Sequence, residues 1–396
     1  MSRNDEQEPR QDVIYLPVVA NGAAATATVT PRPTFTPRPT ATPTATRQPT
    51  NTPRPTATAI SIGPTQVCGA INGAQTWTAA GNPYLVTCDI TVGAGSSLTI
   101  GAGVIAKFSE DASLIVDGAL YVQGTAENLV YFTSHKDDLL GGDTNGDGST
   151  TPNWGNWGRV QFNSGSNDDS LLEHLEIRYS GEDYYYYGAI RLDNASPILH
   201  NITFFDNRIN GVELPSTQWA TDTWDNVDVV YYVAGDITVQ SGQILTIVPG
   251  MKVKFYEDAS LIVDATLRVL GTTDNPVYFT SYRDDLIGGD TNNDGSSTPV
   301  TGDWGRVQFN SASNDDSLIE HLEIRYSGED YYYYGAIRLD NASPILRQIT
   351  FIENRINGIE IPASQWETDT WDNTDIVYFV AGDLTVRSGQ TLTITA

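Results

Sequence analysis

The sequence has few cysteines, few histidines and no long apolar run, and each shortage excludes a class of protein. Two cysteines and four histidines among 396 residues do not form the Cys and His clusters that zinc sites use. No apolar stretch approaches the length of about 20 residues that a transmembrane helix needs. The run Val13–Ala20 is short and follows acidic residues, which is not the pattern of a secretory signal peptide. Helical periodicity is absent, so we expect no helical domain.

Basic side chains are scarce outside the N-terminal region. The formal net charge is −27. Residues 1–66 contain six Arg and four acidic residues, so residues 67–396 carry 16 basic and 45 acidic side chains. An acidic surface repels the phosphates of nucleic acids and anionic lipids. We therefore predict no nucleic-acid partner and no membrane insertion, and a surface suited to divalent cations or simply to solubility.

A long internal repeat dominates the remaining sequence. The stretch Asp89–Gly235 recurs from Asp236, and a third copy starts at Asp383, so the spacing is 147 residues. Between Gly158–Leu199 and Gly305–Leu346, 40 of 42 residues are identical. This period is too long for one solenoid coil, so we interpret it as a module of several coils duplicated in tandem.

These patterns divide the chain into five segments. Residues 1–22 are unassigned, and residues 23–66 form a Thr/Pro-rich linker. Frequent proline favours extended polyproline II over packed structure, so we expect this linker to be a disordered, semi-rigid spacer of about 3 Å per residue. Module 1 with an N-terminal coil covers 67–235, module 2 covers 236–382, and 383–396 begins a truncated third module. We expect further modules beyond Ala396.

Within each module, short alternating runs separated by Gly, Asp and Ser predict strands that must stack, because none can bury a face alone. The segment Gly188–Leu192 returns as Asn210–Leu214 after 22 residues. A coil of about 20–25 residues with inward aliphatic side chains is typical of a parallel β-helix. The predicted strands before the second copy are Ile90–Val92, Leu98–Ile100, Val104–Phe108, Ser113–Val116, Ala119–Val122, Leu129–Thr133, Arg159–Phe162, Leu172–Tyr179, Ala189–Leu192, Ile198–Phe205 and Val212–Leu214.

The runs Leu98–Phe108, Ala119–Gly124 and Val130–Ser134, followed by Trp157-Gly158, resemble right-handed parallel β-helix repeat proteins of bacterial cell surfaces. The resemblance covers roughly Gln75 to the end of the chain. It implies an all-β, right-handed parallel β-helix, and the Thr/Pro tract is similar to the stalks of secreted surface proteins, which implies an extracellular or cell-surface location. The family includes adhesins, stalk modules and polysaccharide-active enzymes, so the fold alone does not decide the function.

The two cysteines, Cys68 and Cys88, lie 20 residues apart where the ordered part should begin. We predict a disulfide that closes the first coil and contributes about 3 kcal/mol by restricting the unfolded chain. The alternative is two unrelated thiols. The Thr/Pro tract favours the disulfide, because it points to an extracellular environment in which disulfides persist.

An acidic loop is the best candidate for a ligand site, and we predict that it binds calcium. Oxygen side chains stand at alternate positions, as in an EF-hand loop, and calcium requires six to eight oxygen ligands. The loop departs from an EF-hand because Trp154 and Thr301 replace the closing Glu and no helices flank it. Asp303 is a further candidate in the second copy. The alternative is a solvated acidic turn, which we disfavour because five clustered acceptors without a nearby Lys or Arg would repel one another. The predicted ligands are Asp137, Asp138, Asp143, Asn145 and Asp147, and Asp284, Asp285, Asp290, Asn292 and Asp294.

A run of four tyrosines in each copy is the second candidate. Neighbouring residues of an extended chain face opposite sides, so four consecutive rings cannot all point inward. Exposed rings could stack on sugars and form a glycan platform; alternatively they pack over the flank of the fold. The residues are Tyr184, Tyr185, Tyr186, Tyr187, Tyr331, Tyr332, Tyr333 and Tyr334.

The evidence for catalysis is weak. The Asp137-Asp138 and Asp168-Asp169 pairs and Arg178 could in principle supply acid–base groups, but they lie in polar contexts that do not push pKa values apart. We assign no catalytic residue. The favoured hypothesis is a non-catalytic surface module for display or adhesion, with a polysaccharide or cell-surface partner. The alternative is a polysaccharide lyase or glycoside hydrolase of the same fold.

Overall fold

The structure is a computed structural model that describes residues 63–182, 186–329 and 334–395. Residues 1–22 and most of the predicted linker lie outside this described part. Its regular structure is almost entirely β, and its one helical element is the short 3-10 turn Ala79–Gly81. The described part contains no helix long and apolar enough to span a membrane.

Sixteen strands precede the second copy of the repeat. The first begins at Thr65, two residues inside the range assigned to the linker, and pairs Thr65 with Tyr84. The strands are β1 Thr65–Ile71, β2 Ala74–Trp77, β3 Tyr84–Val92, β4 Ser97–Gly101, β5 Ile105–Phe108, β6 Leu114–Val116, β7 Ala119–Gln123, β8 Val130–Ser134, β9 Val160–Phe162, β10 Leu171–Arg178, β11 Gly188–Leu192, β12 Ile198–Phe205, β13 Ile209–Leu214, β14 Thr217–Trp219, β15 Asp222–Trp224 and β16 Val230–Val233.

The second copy repeats this pattern 147 residues later, except that the counterparts of β10 and β12 are each divided into two shorter strands. The strands are β17 Ile237–Val239, β18 Ile244–Ile247, β19 Lys252–Phe255, β20 Leu261–Val263, β21 Thr266–Leu270, β22 Val277–Ser281, β23 Val307–Phe309, β24 Leu318–Glu320, β25 Leu322–Arg325, β26 Gly335–Leu339, β27 Ile345–Arg347, β28 Thr350–Ile352, β29 Ile356–Ile361, β30 Gln365–Trp366, β31 Asp369–Trp371, β32 Tyr378–Val380, β33 Thr385–Val386 and β34 Leu392–Ile394. The last two lie in the segment read as a third copy and pair with β30 and β31.

The strands form long parallel sheets. Leu98 pairs with Leu120, and Ile190 pairs with Val212, the 22-residue return that the sequence predicts. In and around the second copy, three parallel stacks run side by side: β13-β16-β19-β22-β25-β28, β14-β17-β20-β23-β26-β29-β32 and β15-β18-β21-β24-β27. This arrangement is compatible with a parallel β-helix.

The core is built by alternation along each strand. In β4, Leu98 and Ile100 are fully buried while the side chains between and beside them are partly exposed. Their pairing partners in β7 are Leu120 and Val122, which are also fully buried. One hydrophobic cluster extends in this way from Ile71 to Trp371. Burial of each large aliphatic side chain contributes about 1.5–3 kcal/mol, so the stability is spread along the stack.

A disulfide and a long inserted loop are found among these first strands. Cys68 of β1 and Cys88 of β3 form a disulfide, with their Cα atoms 5.1 Å apart. Most paired positions in the first copy are 20 to 30 residues apart, but Leu114 pairs with Val160 and Val130 with the still later β10. The extra chain therefore forms a long loop between β8 and β9, which is anchored near its ends by the fully buried Asp137 and Trp157. It is the acidic loop.

Candidate metal centre and tyrosine loops

Each acidic loop brings three carboxylates together. In the first copy they belong to Asp138, Asp143 and Asp147, each of which offers one oxygen atom within 4.8 Å of the others. The second copy repeats the group with Asp285, Asp290 and Asp294. We call these two groups the first and second acidic triads. Three carboxylates at this separation repel one another unless cations or hydrogen bonds offset their charge.

Backbone hydrogen bonds shape the loop around its aspartates. In the first copy, Asp143 accepts hydrogen bonds from the backbone N–H groups of Gly146 (2.6 Å) and Gly148 (3.2 Å). Gly146 has a φ of 72°, which a residue with a side chain rarely adopts. Asp138 Oδ2 accepts from the N–H of Thr150 at 2.9 Å and so joins the two ends of the loop.

The second loop closes in the same way. Asp290 accepts a hydrogen bond from the N–H of Gly295 at 2.9 Å, and Asp285 accepts one from the N–H of Ser297 at 3.1 Å. The sequence pattern of alternating oxygen side chains thus folds into a curled loop in both copies.

The structure separates Asp137 and Asp284 from the triads. Asp137 is fully buried. It accepts a hydrogen bond from Thr133 Oγ1 at 2.7 Å and forms an ion pair with Arg178, whose Nη1 lies 3.3 Å from Asp137 Oδ2. Asp284 has the same relation to Arg325. These two carboxylates hold the base of each loop on the strands beneath it.

Asp303 is also used elsewhere. Its carboxylate accepts a hydrogen bond from Ser281 Oγ at 2.8 Å and pairs with Arg283 at 3.0 Å. The structure therefore does not bring Asp303 to the second triad.

A buried lysine lies under each loop, so the expectation that no basic group is near was wrong. Lys107 Nζ donates a hydrogen bond to the carbonyl oxygen of Gly142 at 2.6 Å, and Lys254 Nζ donates to that of Gly289 at 2.7 Å. Burial lowers the pKa of Lys254 to about 8, while Asp284, Asp285 and Asp290 oppose this shift. One ammonium group offsets only part of the charge of three carboxylates, so each loop keeps an excess of negative charge.

Several oxygens around the triads are shielded from solvent without a hydrogen-bond donor. They are Asp138 Oδ1 in the first copy, and Asp285 Oδ1 and Asn292 Oδ1 in the second. The Asn292 side chain is 8 % exposed, and its Nδ2 donates to Asp294 Oδ2 at 2.6 Å. Burial, opposed by the hydrogen bond from Ser297 and reinforced by Asp290, raises the pKa of Asp285. Buried oxygen acceptors without donors are the chemistry that a hard cation requires.

The two loops differ in exposure despite their similar sequences. Asn145 donates to Asp147 at 2.6 Å, as Asn292 does to Asp294, but Asn145 is exposed. A part of the protein that does not contact the first loop therefore covers the second loop.

Three of the eight candidate tyrosines are described, and cation–π contacts hold each of them; Tyr184, Tyr185, Tyr331, Tyr332 and Tyr333 lie outside the described residues. The Arg159 guanidinium lies 3.7 Å from the ring centroid of Tyr187, and Arg306 lies 3.5 Å from that of Tyr334. Tyr186 is 43 % exposed and lies between Arg208 (4.1 Å) and the ring of Tyr256 (5.4 Å). These contacts favour packing over the flank of the sheets for Tyr186, Tyr187 and Tyr334.

A buried charge network beneath each tyrosine loop was not found from the sequence. Glu213 is 3 % exposed and pairs with Arg159 at 2.9 Å and Arg191 at 3.0 Å. It also accepts a hydrogen bond from the N–H of Gly188 at 2.8 Å, which fixes the end of the tyrosine loop. Burial raises the pKa of Glu213, and its two arginine partners oppose that shift. The 22-residue return places Arg191 opposite Glu213, so the register alone could have revealed this pair.

The groups considered for catalysis are not assembled into one site. Asp137 and Arg178 neutralise each other in the interior. Asp168 and Asp169 are exposed, and Asp168 accepts a hydrogen bond from the N–H of Ser196 at 3.2 Å.

A comparison of the chain with protein-family models, curated proteins and solved structures finds no match. Fold and site therefore define the protein only by class: an all-β chain of long parallel sheets that carries one acidic triad in each copy of its repeat.

Proposed function

We propose that this chain is a tandem right-handed parallel β-helix and acts as a non-catalytic, extracellular display or adhesion module, with residues 23–64 as its spacer. The observation that carries the proposal is the unbroken pairing across the two copies. Val212 of the first copy pairs with Tyr231, which pairs with Val253 of the second copy, which pairs with Phe279. A stack that continues in register makes an extended element whose length grows with the number of copies.

Each acidic triad serves this element as a calcium site. Its ligands are all oxygens, which excludes the nitrogen and sulfur donors that zinc prefers. The curled loop is irregular, and calcium accepts irregular geometry where magnesium requires a near-octahedral one. Calcium would offset the remaining negative charge and give the buried oxygens of Asp138, Asp285 and Asn292 a partner. Bound calcium thereby ties the acidic loop to the stack.

A distance measurement tests the extended architecture. Ser164 and Ser311 are equivalent exposed turn residues, 147 positions apart. Five strand pairings, β9–β11, β11–β13, β13–β16, β16–β19 and β19–β22, lead from β9, which directly precedes Ser164, to β22, the strand before β23 and Ser311. At about 4.8 Å per pairing, the two positions should lie about 24 Å apart along the stack. Spin labels on Ser164→Cys and Ser311→Cys in the full chain should give one narrow distance distribution near this value by pulsed electron paramagnetic resonance. A broad distribution, or one at a much longer distance, would contradict the proposal.

A second assay tests the non-catalytic role. The full chain is incubated with acidic and neutral polysaccharides, with and without calcium, and both retention on the polymer and new chain ends are measured. Retention without new chain ends supports adhesion. The absence of both retention and new chain ends supports display alone. New chain ends from any polymer would overturn the non-catalytic assignment and favour the lyase or hydrolase alternative.

A further inference from the structure

The second acidic loop lies against the first copy of the repeat. The backbone N–H of Asn210, in β13 of the first copy, donates a hydrogen bond to the carbonyl oxygen of Thr291 at 2.7 Å. Asn210 Nδ2 donates to the carbonyl oxygen of Asp290 at 3.2 Å. Thr291 lies in this contact and is fully buried. The backbone of a triad residue is thus hydrogen-bonded directly to the preceding copy.

The Asn210 side chain is oriented for this contact by its own neighbour. Asn210 Oδ1 accepts hydrogen bonds from the N–H and the Nδ2 of Asn207, both at 3.1 Å. Asn207 is fully buried and accepts in turn from Ser180 Oγ at 2.7 Å. With Oδ1 committed to Asn207, the amide must point Nδ2 toward Asp290.

Among the described residues, the first acidic loop has no equivalent contact. The residue 147 positions before Asn210 is Gly63, which has no side-chain amide. Asn145 is correspondingly exposed, whereas its counterpart Asn292 is 8 % exposed and keeps an unpartnered Oδ1 beside Asp294. Loops with the same candidate ligands therefore differ in their surroundings, because the second is hydrogen-bonded to the copy before it.

A tyrosine cluster also forms contacts between the two copies. Tyr186 of the first copy packs on Tyr256 of the second, whose ring centroid lies 5.1 Å from that of Tyr282. The counterparts of Tyr256 and Tyr282 in the first copy are Ser109 and His135. The aromatic cluster is thus specific to the joint between copies.

From this geometry we infer that the second acidic triad, with Asn292, is a divalent-cation site that clasps the second copy to the first through Asn210. The inference rests on the proposed calcium binding and adds a coupling between sites. Asn210 holds the Asp290–Asn292 backbone in its binding conformation. The second site therefore loses less conformational entropy when it binds calcium, and it binds calcium more tightly than the first. By reciprocity, calcium strengthens the contact between the copies.

Calcium titration of the full chain by calorimetry tests this coupling. We expect two classes of site, the tighter abolished by Asp290→Asn and the weaker by Asp143→Asn. Asn210→Ala removes the side-chain hydrogen bond to Asp290 and keeps the backbone one to Thr291, so it should weaken the tighter site about three- to tenfold, the value of one hydrogen bond. Asn357→Ala is the matched control, because Asn357 holds Asn354 as Asn210 holds Asn207 and makes no recorded contact with an acidic loop in the described residues. It should leave both affinities unchanged.

Joint rigidity is the second readout. In the chain labelled at positions 164 and 311, calcium should narrow the distribution of distances between the labels. Asn210→Ala should reduce that narrowing. The melting temperature of the variant serves as the control for folding. Absence of any calcium binding would overturn both the calcium proposal and the clasp. Two sites of equal affinity, or an Asn210→Ala titration identical to that of the parent chain, would overturn the clasp alone. Equal stabilisation by magnesium would assign the site to divalent cations in general and overturn its selectivity for calcium.

Discussion

Replacement of Lys254 by methionine should change how the stability of the protein depends on pH. Lys254 is fully buried, and its ammonium group donates a hydrogen bond to the Gly289 carbonyl oxygen. Its pKa is lowered from 10.5 to about 8, chiefly by burial. Because the folded pKa lies below the unfolded one, the unfolded chain binds more protons between these two values. The free energy of unfolding should therefore rise as the pH rises from about 8 to about 10.5.

The size of this effect follows from the shift. Each pKa unit corresponds to about 1.4 kcal/mol, so a charged Lys254 lowers the stability by about 3 kcal/mol below pH 8. Methionine fills a similar volume without a charge, and it loses a hydrogen bond of about 1 kcal/mol to a carbonyl in an exposed loop. Lys254→Met should therefore be more stable than the parent chain by about 2 kcal/mol at pH 7. The difference should shrink and reverse as the pH approaches 10.5.

The assay is urea unfolding of parent and variant at several pH values between 7 and 10.5, in the presence of a chelator. Tyrosines also titrate near the upper limit, but they do so in both proteins, so the difference between the two isolates Lys254. Lys107→Met in the first copy is the matched comparison, since burial lowers the pKa of Lys107 as well. A stability difference that stays constant across this pH range would refute the reasoning.

Three further predictions concern other parts of the fold. Glu213→Gln leaves Arg159 and Arg191 without a full counter-charge and should lower the free energy of unfolding in urea by about 3 kcal/mol. Glu360→Gln should lower it by a similar amount in the second copy. An unchanged free energy of unfolding in either variant would contradict the role of the buried network. The double variant Cys68→Ser with Cys88→Ser should lower the stability of the N-terminal coil by about 3 kcal/mol. Hydrogen exchange in β1 and β3 should become faster, and unchanged exchange there would contradict this prediction. A chelator should lower the melting temperature of the parent chain but not that of a variant carrying Asp138→Asn and Asp285→Asn; an unaltered parent melt would remove the support for bound calcium.

The strands were predictable because their signal is local. Alternation and turn residues are read over four to eight positions, and all eleven strands predicted before the second copy overlap with observed ones. The acidic loop could likewise be placed because its Gly and Asp residues interrupt the alternation. The pairing of Ile190 with Val212 followed from similarity between neighbouring coils.

The partners of the loop were not predictable, because they come from other coils. Lys107 donates to Gly142 across 35 residues, and Arg178 reaches Asp137 from β10. A prediction of these contacts requires the length of the inserted loop and the exact register of β8 on β10. The expectation that no cation lies near the loop overlooked Lys136 and Arg283, which directly precede Asp137 and Asp284, and it could not include the buried lysines that other coils supply.

The two acidic loops show most clearly where a sequence argument ends. Their ligands are identical in type and spacing, so the sequence predicts two equal sites. Their surroundings differ because the chain that precedes each loop differs: Asn210 stands below the second loop and Gly63 at the equivalent position for the first. In a tandem stack, each copy is completed by its neighbour, so identical segments acquire different burial and different hydrogen bonds. Duplication can therefore give a loop new contacts with the preceding copy, without any change in its own ligands.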